Sequence, residues 1–201
     1  MSALIYRYVP GRRAETLLLL HGTGGDETDL LGLGNAVLPG AGMLSPRGPV
    51  LENGKPRFFR RFKEGVFDLE DVKRRAAELG EFVREKAAQH GFDPARVMAL
   101  GYSNGANIAA AMLLTGAAAF PRAVLVRAMV PLEPETLPDL TGTEVLLAAG
   151  LYDPLATAEE TRRLGELLGI AGAKVTEHEE RTGHEMARGD IEAAGRWLAR
   201  D

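Results

Sequence analysis

The chain is expected to fold as an α/β protein, with a mostly parallel central sheet and helices on both faces. Three observations predict this. Short apolar runs alternate with helix-forming stretches along the whole length, the pattern of a parallel sheet covered on both sides. Glycine is abundant, 24 of 201 residues, as many tight strand-to-helix turns require. Around residue 103 a strand, a very sharp turn and a helix follow one another without a break. No repeat, low-complexity tract or linker divides the sequence, so one domain is expected over residues 1–201.

Taken in order, Leu4–Val9 is rich in strand formers and Pro10-Gly11 ends it with a turn. Thr16–Leu20 is too short for a buried helix and stops at glycines, so it reads as a buried strand. A helix should follow, capped by Asp26 or Thr28, with Leu30, Leu31 and Leu33 facing inward. Gly40–Pro46 is a further strand. From Arg47 to Gly65 there is no clear period, and Gly48-Pro49, Asn53-Gly54 and Lys55-Pro56 break structure, which predicts a long irregular, functional loop.

Asp68–Gln89 is a long amphipathic helix, with Leu69, Val72, Ala76, Leu79, Phe82, Val83 and Ala87 at steps of three and four. Gly91 suits the left-handed position that closes it. Strands are then expected at Arg96–Gly101, Arg122–Val130, Thr143–Gly150 and Ala173–Glu179. Helices are expected from Ala106 to about Gly116, from Leu155 to Leu168, and from Ala187 to Arg200 with Ile191, Ala194 and Leu198 on one face. Pro131–Gly142 is a proline-spaced connection.

Composition excludes several chemistries. There are no cysteines, hence no disulfide, thiolate metal site or cysteine nucleophile. A net charge of −4 with no block of one sign argues against a nucleic-acid partner. The N-terminus lacks a basic stretch leading into an apolar one, and Leu17–Leu20 is far too short to span a bilayer, so a cytoplasmic protein without stable membrane insertion is expected. Gly24-Gly25 lacks both a following Lys-Ser/Thr and a G-x-G-x-x-G frame, which argues against nucleotide binding.

The sharp turn is Gly101-Tyr102-Ser103-Asn104-Gly105, a G-x-S-x-G sequence. Small residues two before and two after the serine let strand and helix approach closely while the serine takes a strained conformation at a helix N-terminus. In an open α/β sheet the site lies beyond the carboxyl ends of the strands. Ser103, Asp153 and His184 each follow a strand there, in the order Ser, Asp, His. A serine hydroxyl needs a base titrating near neutrality, and the imidazole needs an anion behind it. Asp139 and Glu144 fit the acid's position less well; His90 ends a helix and His178 lies within a strand. Backbone amides of Asn104 and Thr23 are the natural oxyanion donors, and His21 should shape the Thr23 loop.

With these residues together the chain resembles the phospholipase/carboxylesterase group of α/β-hydrolases over nearly its whole length. The resemblance rests on His21-Gly22-Thr23-Gly24-Gly25-Asp26-Glu27, Gly101–Asn107, Asp153 and Gly183-His184-Glu185. Ser45-Pro46-Arg47-Gly48, Glu52-Asn53-Gly54 and Arg57-Phe58-Phe59-Arg60-Arg61 are similar to a bacterial subgroup linked to quinone and hydroquinone response. That link concerns when such proteins are made rather than what they act on. The resemblance implies an α/β-hydrolase fold without a large cap, Ser103, Asp153 and His184 as triad, Thr23 and Asn104 as oxyanion donors, and no cofactor or metal. Asn104 departs from the Gly-x-Ser-Gln-Gly of many relatives.

The expected activity is hydrolysis of small to medium carboxylic esters or thioesters through an acyl-enzyme. A non-catalytic binding protein on the same fold, a lactonase and a peptidase are the alternatives. The expected partner is a small-molecule ester, with a homodimer left open. Phe58, Phe59 and Phe62 are expected to wall the substrate pocket, and the arginines among them to be mainly solvated.

Overall fold

The structure, a computed structural model, describes residues 4–200. Seven strands form one sheet: β1 (Tyr6–Val9), β2 (Thr16–Leu20), β3 (Gly42–Pro46), β8 (Val97–Tyr102), β9 (Arg122–Val126), β10 (Glu144–Gly150) and β11 (Lys174–Glu180). Their spatial order is β1-β3-β2-β8-β9-β10-β11. Only β1 runs antiparallel, against β3; the other neighbours are parallel. Five helices cover the faces: α1 (Leu31–Val37), α2 (Leu69–His90), α3 (Asn104–Leu114), α4 (Ala158–Ile170) and α5 (Arg188–Leu198). This is the mostly parallel, helix-covered sheet expected from the alternation of elements, arranged as the resemblance to α/β-hydrolases implies.

Strand residues alternate between two cores. Leu18 and Leu20 belong to the core that α2, α3 and α4 cover, while Leu17 and Leu19 belong to the core under α1 and α5. All four leucines are fully buried, each contributing on the order of 1.5–3 kcal/mol of burial free energy. That double burial explains a strand with no polar alternation. Helix α3 is buried along its whole length between the sheet and α2, so it needs no polar face.

Local signals place most boundaries. Asp68 caps α2 by accepting the Asp71 N–H, and Gly91, at φ 76°, closes it by donating to the Ala87 carbonyl. Three expectations are corrected. Asp26 accepts from the Thr28 amide and hydroxyl, closing a turn before α1, whose first turn has no side-chain cap. The strand expected to reach Val130 stops at Val126, because Arg127 turns to φ 56°. The segment from 47 to 65 is not irregular: it folds into the hairpin β4 (Val50–Glu52) with β5 (Lys55–Arg57), and then β6 (Arg61–Lys63) pairs with β7 (Val66–Phe67). Asn53 and Gly54, both at positive φ, make the first hairpin's two-residue turn. Among the described residues these two ribbons are the only sheets besides the central one, and no helix is long and apolar enough to cross a membrane.

The carboxyl ends of β2, β8, β10 and β11 lie along one rim and lead into Thr23, Ser103, Asp153 and His184 respectively. The approach of α3 to that rim allows no side chain at Gly105. A Cβ there would fall inside the van der Waals shell of the Leu20 carbonyl. Gly105→Ala should therefore lower stability by more than the ~1–3 kcal/mol usual for overpacking; urea unfolding of the purified variant measures it, and a loss below 1 kcal/mol would contradict this packing.

Candidate active site

Ser103 sits between β8 and α3 at φ 52°, ψ −115°, a conformation that side-chain-bearing residues rarely adopt. Its amide donates to the Val126 carbonyl at 2.8 Å, and its own carbonyl accepts the Asn107 N–H at 2.9 Å, the first bond of α3. The backbone is thus held from both sides, and Oγ stands at the helix start.

His184 meets Ser103 from the loop after β11. Its Nε2 lies 2.8 Å from Ser103 Oγ, and its Nδ1 lies 2.8 Å from Asp153 Oδ2. The series fixes the tautomer: Nδ1–H donates to the carboxylate, and Nε2 accepts the serine O–H. The Asp153 side chain is fully buried. Its second oxygen accepts the Leu155 and Ala156 amides at 2.8 and 3.0 Å, so both oxygens are engaged and the carboxylate plane is fixed. These amides also explain why α4 begins later than its composition suggests: Asp153 turns the chain first, and Thr157 then caps the helix by accepting the Glu160 N–H. The Tyr102 hydroxyl donates to the His184 carbonyl at 2.9 Å, and burial raises its pKa, keeping it protonated.

Thr23 and Asn104 line the same cleft as Ser103 and His184. Neither amide has an acceptor among the described residues. Asn104 is the first residue of α3, where a free N–H is the rule. Its side-chain oxygen accepts the Phe58 N–H at 2.8 Å. His21 braces the Thr23 loop: Nδ1–H donates to the Gly22 carbonyl at 2.7 Å, and Nε2 accepts the Gly48 N–H at 2.9 Å. Burial lowers the His21 pKa, which keeps Nε2 free of a proton and able to accept.

The cleft has a volume of about 210 Å³, and Arg57, Arg61, Phe67, Met129 and Leu155 complete its wall. The expected phenylalanine wall is corrected. Phe58 and Phe59 are buried in the core beneath the hairpins, and Phe62 is 74 % exposed, so none of the three lines the cleft. Phe67, from β7, does. Arg57 is not solvated either: it is 3 % exposed, and its Nη1 donates to Thr23 Oγ1 at 2.8 Å. The remaining histidines are engaged elsewhere, His90 with the Tyr6 hydroxyl and His178 with Glu180. Asp139 accepts the Thr141 amide, and Glu144 pairs with Lys174.

Sequence reading missed Arg127. Its side chain is fully buried and binds Asp190, itself fully buried, through both terminal nitrogens at 3.2 and 2.7 Å. It also donates to the Gly183 and Glu185 carbonyls, one on each side of His184, and to the Ala148 carbonyl. Asp190 in turn accepts the Ala187 N–H at the start of α5. The positive φ at Arg127 aims the guanidinium under the histidine loop. An arginine within the otherwise apolar run 123–130 is the one signal the sequence offers.

No family model matches the chain. It is 46 % identical over 190 residues to "Putative hydrolase MhqD" of Bacillus subtilis (strain 168), covering 94 % of this chain and 95 % of that protein. The crystal structure of the Bacillus cereus carboxylesterase superposes with a TM-score of 0.94 at 46 % identity, over 98 % of this chain and 93 % of that one. A carboxylesterase from Mesorhizobium loti superposes at 0.91 with 30 % identity, over 98 % and 95 %.

Removing one member of the Arg127–Asp190 pair leaves a buried charge uncompensated. Arg127→Met and Asp190→Leu should each cost about 3–5 kcal/mol, and the two substitutions combined should cost clearly less than the two single losses added. Urea unfolding of the three variants measures this; strictly additive losses would show that the pair is not coupled.

Proposed function

The chain belongs to the phospholipase/carboxylesterase group of the α/β-hydrolases, and within that group we propose that it is a serine carboxylesterase acting on small esters or thioesters. Ser103 Oγ attacks the carbonyl carbon as His184 Nε2 takes its proton. The tetrahedral oxyanion forms against the Thr23 and Asn104 amides. The imidazolium, steadied by Asp153, then protonates the leaving alcohol or thiol, and the C–O or C–S bond breaks to leave an acyl-serine. A water activated by the same histidine hydrolyses it. The observation that carries this reading is the unbroken hydrogen-bond series from Ser103 through His184 to a buried carboxylate whose other oxygen is already occupied. A binding protein would have no need of a strained serine backbone aligned on that series.

The size of the cleft argues for small substrates. Its ~210 Å³ is below the range of roughly 300–1,000 Å³ typical of pockets that enclose drug-sized ligands. Its wall mixes apolar groups with arginines, which suits a short acyl group better than a long chain.

Ser103→Ala should cut p-nitrophenyl acetate hydrolysis by at least ~10⁴-fold and abolish fluorophosphonate labelling, with an unchanged circular dichroism spectrum. Asp153→Asn should cost about 10⁴ in kcat. Retained turnover in Ser103→Ala would overturn the proposal. Across p-nitrophenyl esters, kcat/KM should be highest for acetate to butyrate and fall for octanoate and longer chains; a rise with chain length would refute the small-substrate reading.

A further inference from the structure

Three consecutive residues at the end of the first hairpin each bind one of the elements carrying the two oxyanion donors. The Pro56 carbonyl accepts the Gly24 N–H at 2.9 Å, the Arg57 guanidinium donates to Thr23 Oγ1 at 2.8 Å, and the Phe58 N–H donates to Asn104 Oδ1 at 2.8 Å. The Thr23 loop follows β2, and Asn104 begins α3. An extended chain rises about 3.3 Å per residue, so a three-residue stretch bridges loop and helix with little slack.

The bridge is itself anchored. The buried Phe58 ring lies 4.8 Å from the His21 ring, centroid to centroid, and the fully buried Phe59 ring lies 5.8 Å from the Arg57 guanidinium carbon. Arg57 Nε donates to the Phe59 carbonyl at 3.3 Å, and Glu52 stands 3.6 Å from Nη1. A buried guanidinium stays charged, so Arg57 also brings a positive charge to the wall of the cleft in which the oxyanion would form.

We propose that Pro56–Phe58 is a clamp that sets the spacing of the oxyanion hole, with Arg57 as its positioning residue acting through Thr23. This rests on the reading that the Thr23 and Asn104 amides receive the oxyanion. The clamp also gives the Asn104 side chain a job: its oxygen takes the Phe58 N–H, while its amide nitrogen is buried without a partner among the described residues. Positioning for charge that exists only in the transition state predicts a loss in kcat with KM nearly unchanged.

The test compares Thr23→Val, Thr23→Ser and Arg57→Met on p-nitrophenyl acetate, with Ser103→Ala alongside. Loss of a whole oxyanion donor costs roughly 10²–10³ in turnover; misplacing one should cost about 10–100-fold. That loss is expected in Thr23→Val and Arg57→Met with KM within about twofold, while Thr23→Ser, which keeps the acceptor oxygen, should lose clearly less kcat than Thr23→Val. Affinity for a boronic acid, which mimics the tetrahedral intermediate, should fall in step with kcat/KM. Equal kcat in Thr23→Val and Thr23→Ser overturns the clamp, as does a drop in melting temperature with unchanged kcat. If Arg57→Met does not fold, the two Thr23 variants decide. An inactive Ser103→Ala with unaffected clamp variants refutes this inference alone; an active Ser103→Ala refutes the reading beneath it.

Discussion

The site depends on a contact in which no side chain takes part. The first turn of α3 lies against the carbonyl at the end of β2, with only Gly105 between them. That closeness leaves too little chain to pass from β8 into α3 by relaxed dihedrals, so the strain falls on Ser103. It also carries the start of α3 toward the β2 loop, so that Asn104 and Thr23 line one cleft. The placement of the proposed nucleophile and of the proposed oxyanion donors is therefore one packing problem, and the two would be lost together.

Around this contact two buried arginines organise the loops of the rim. Arg57 reaches the Thr23 loop, and Arg127 reaches the carbonyls on both sides of His184. Burying a guanidinium is costly unless its donors find acceptors. Arg127 meets that condition with Asp190 and three carbonyls. Its fork binds several acceptors at once and stays protonated, which a lysine could not match. Loops long enough to come from different strands are thereby given the precision that the proposed proton transfer needs.

Much of this was legible in the sequence. The order of strands and helices followed from apolar periodicity, and Ser103, Asp153 and His184 could be picked out because each follows a strand on the same rim. What could not be read depends on contacts made only in three dimensions. Nothing local marks Arg127 as buried, since its partner Asp190 is 63 residues away. Phe58 and Phe59 look like pocket walls because charged neighbours surround them, yet the hairpins fold over and turn both rings into the core. The two ribbons escaped notice because their strands are only two or three residues long, too short for an alternating pattern to show.

The last strand of the sheet has a consequence for association. Among the described residues β11 has a neighbouring strand on one side only, so its outer edge presents main-chain donors and acceptors that no strand pairs. It carries Glu177, Glu179 and Glu180 within its seven residues. Crowded carboxylates along an open border repel a second border of the same kind and discourage growth of the sheet from one molecule into the next. The acidic stretch that follows the last apolar run thus serves solubility, while the loop it leads into carries the histidine.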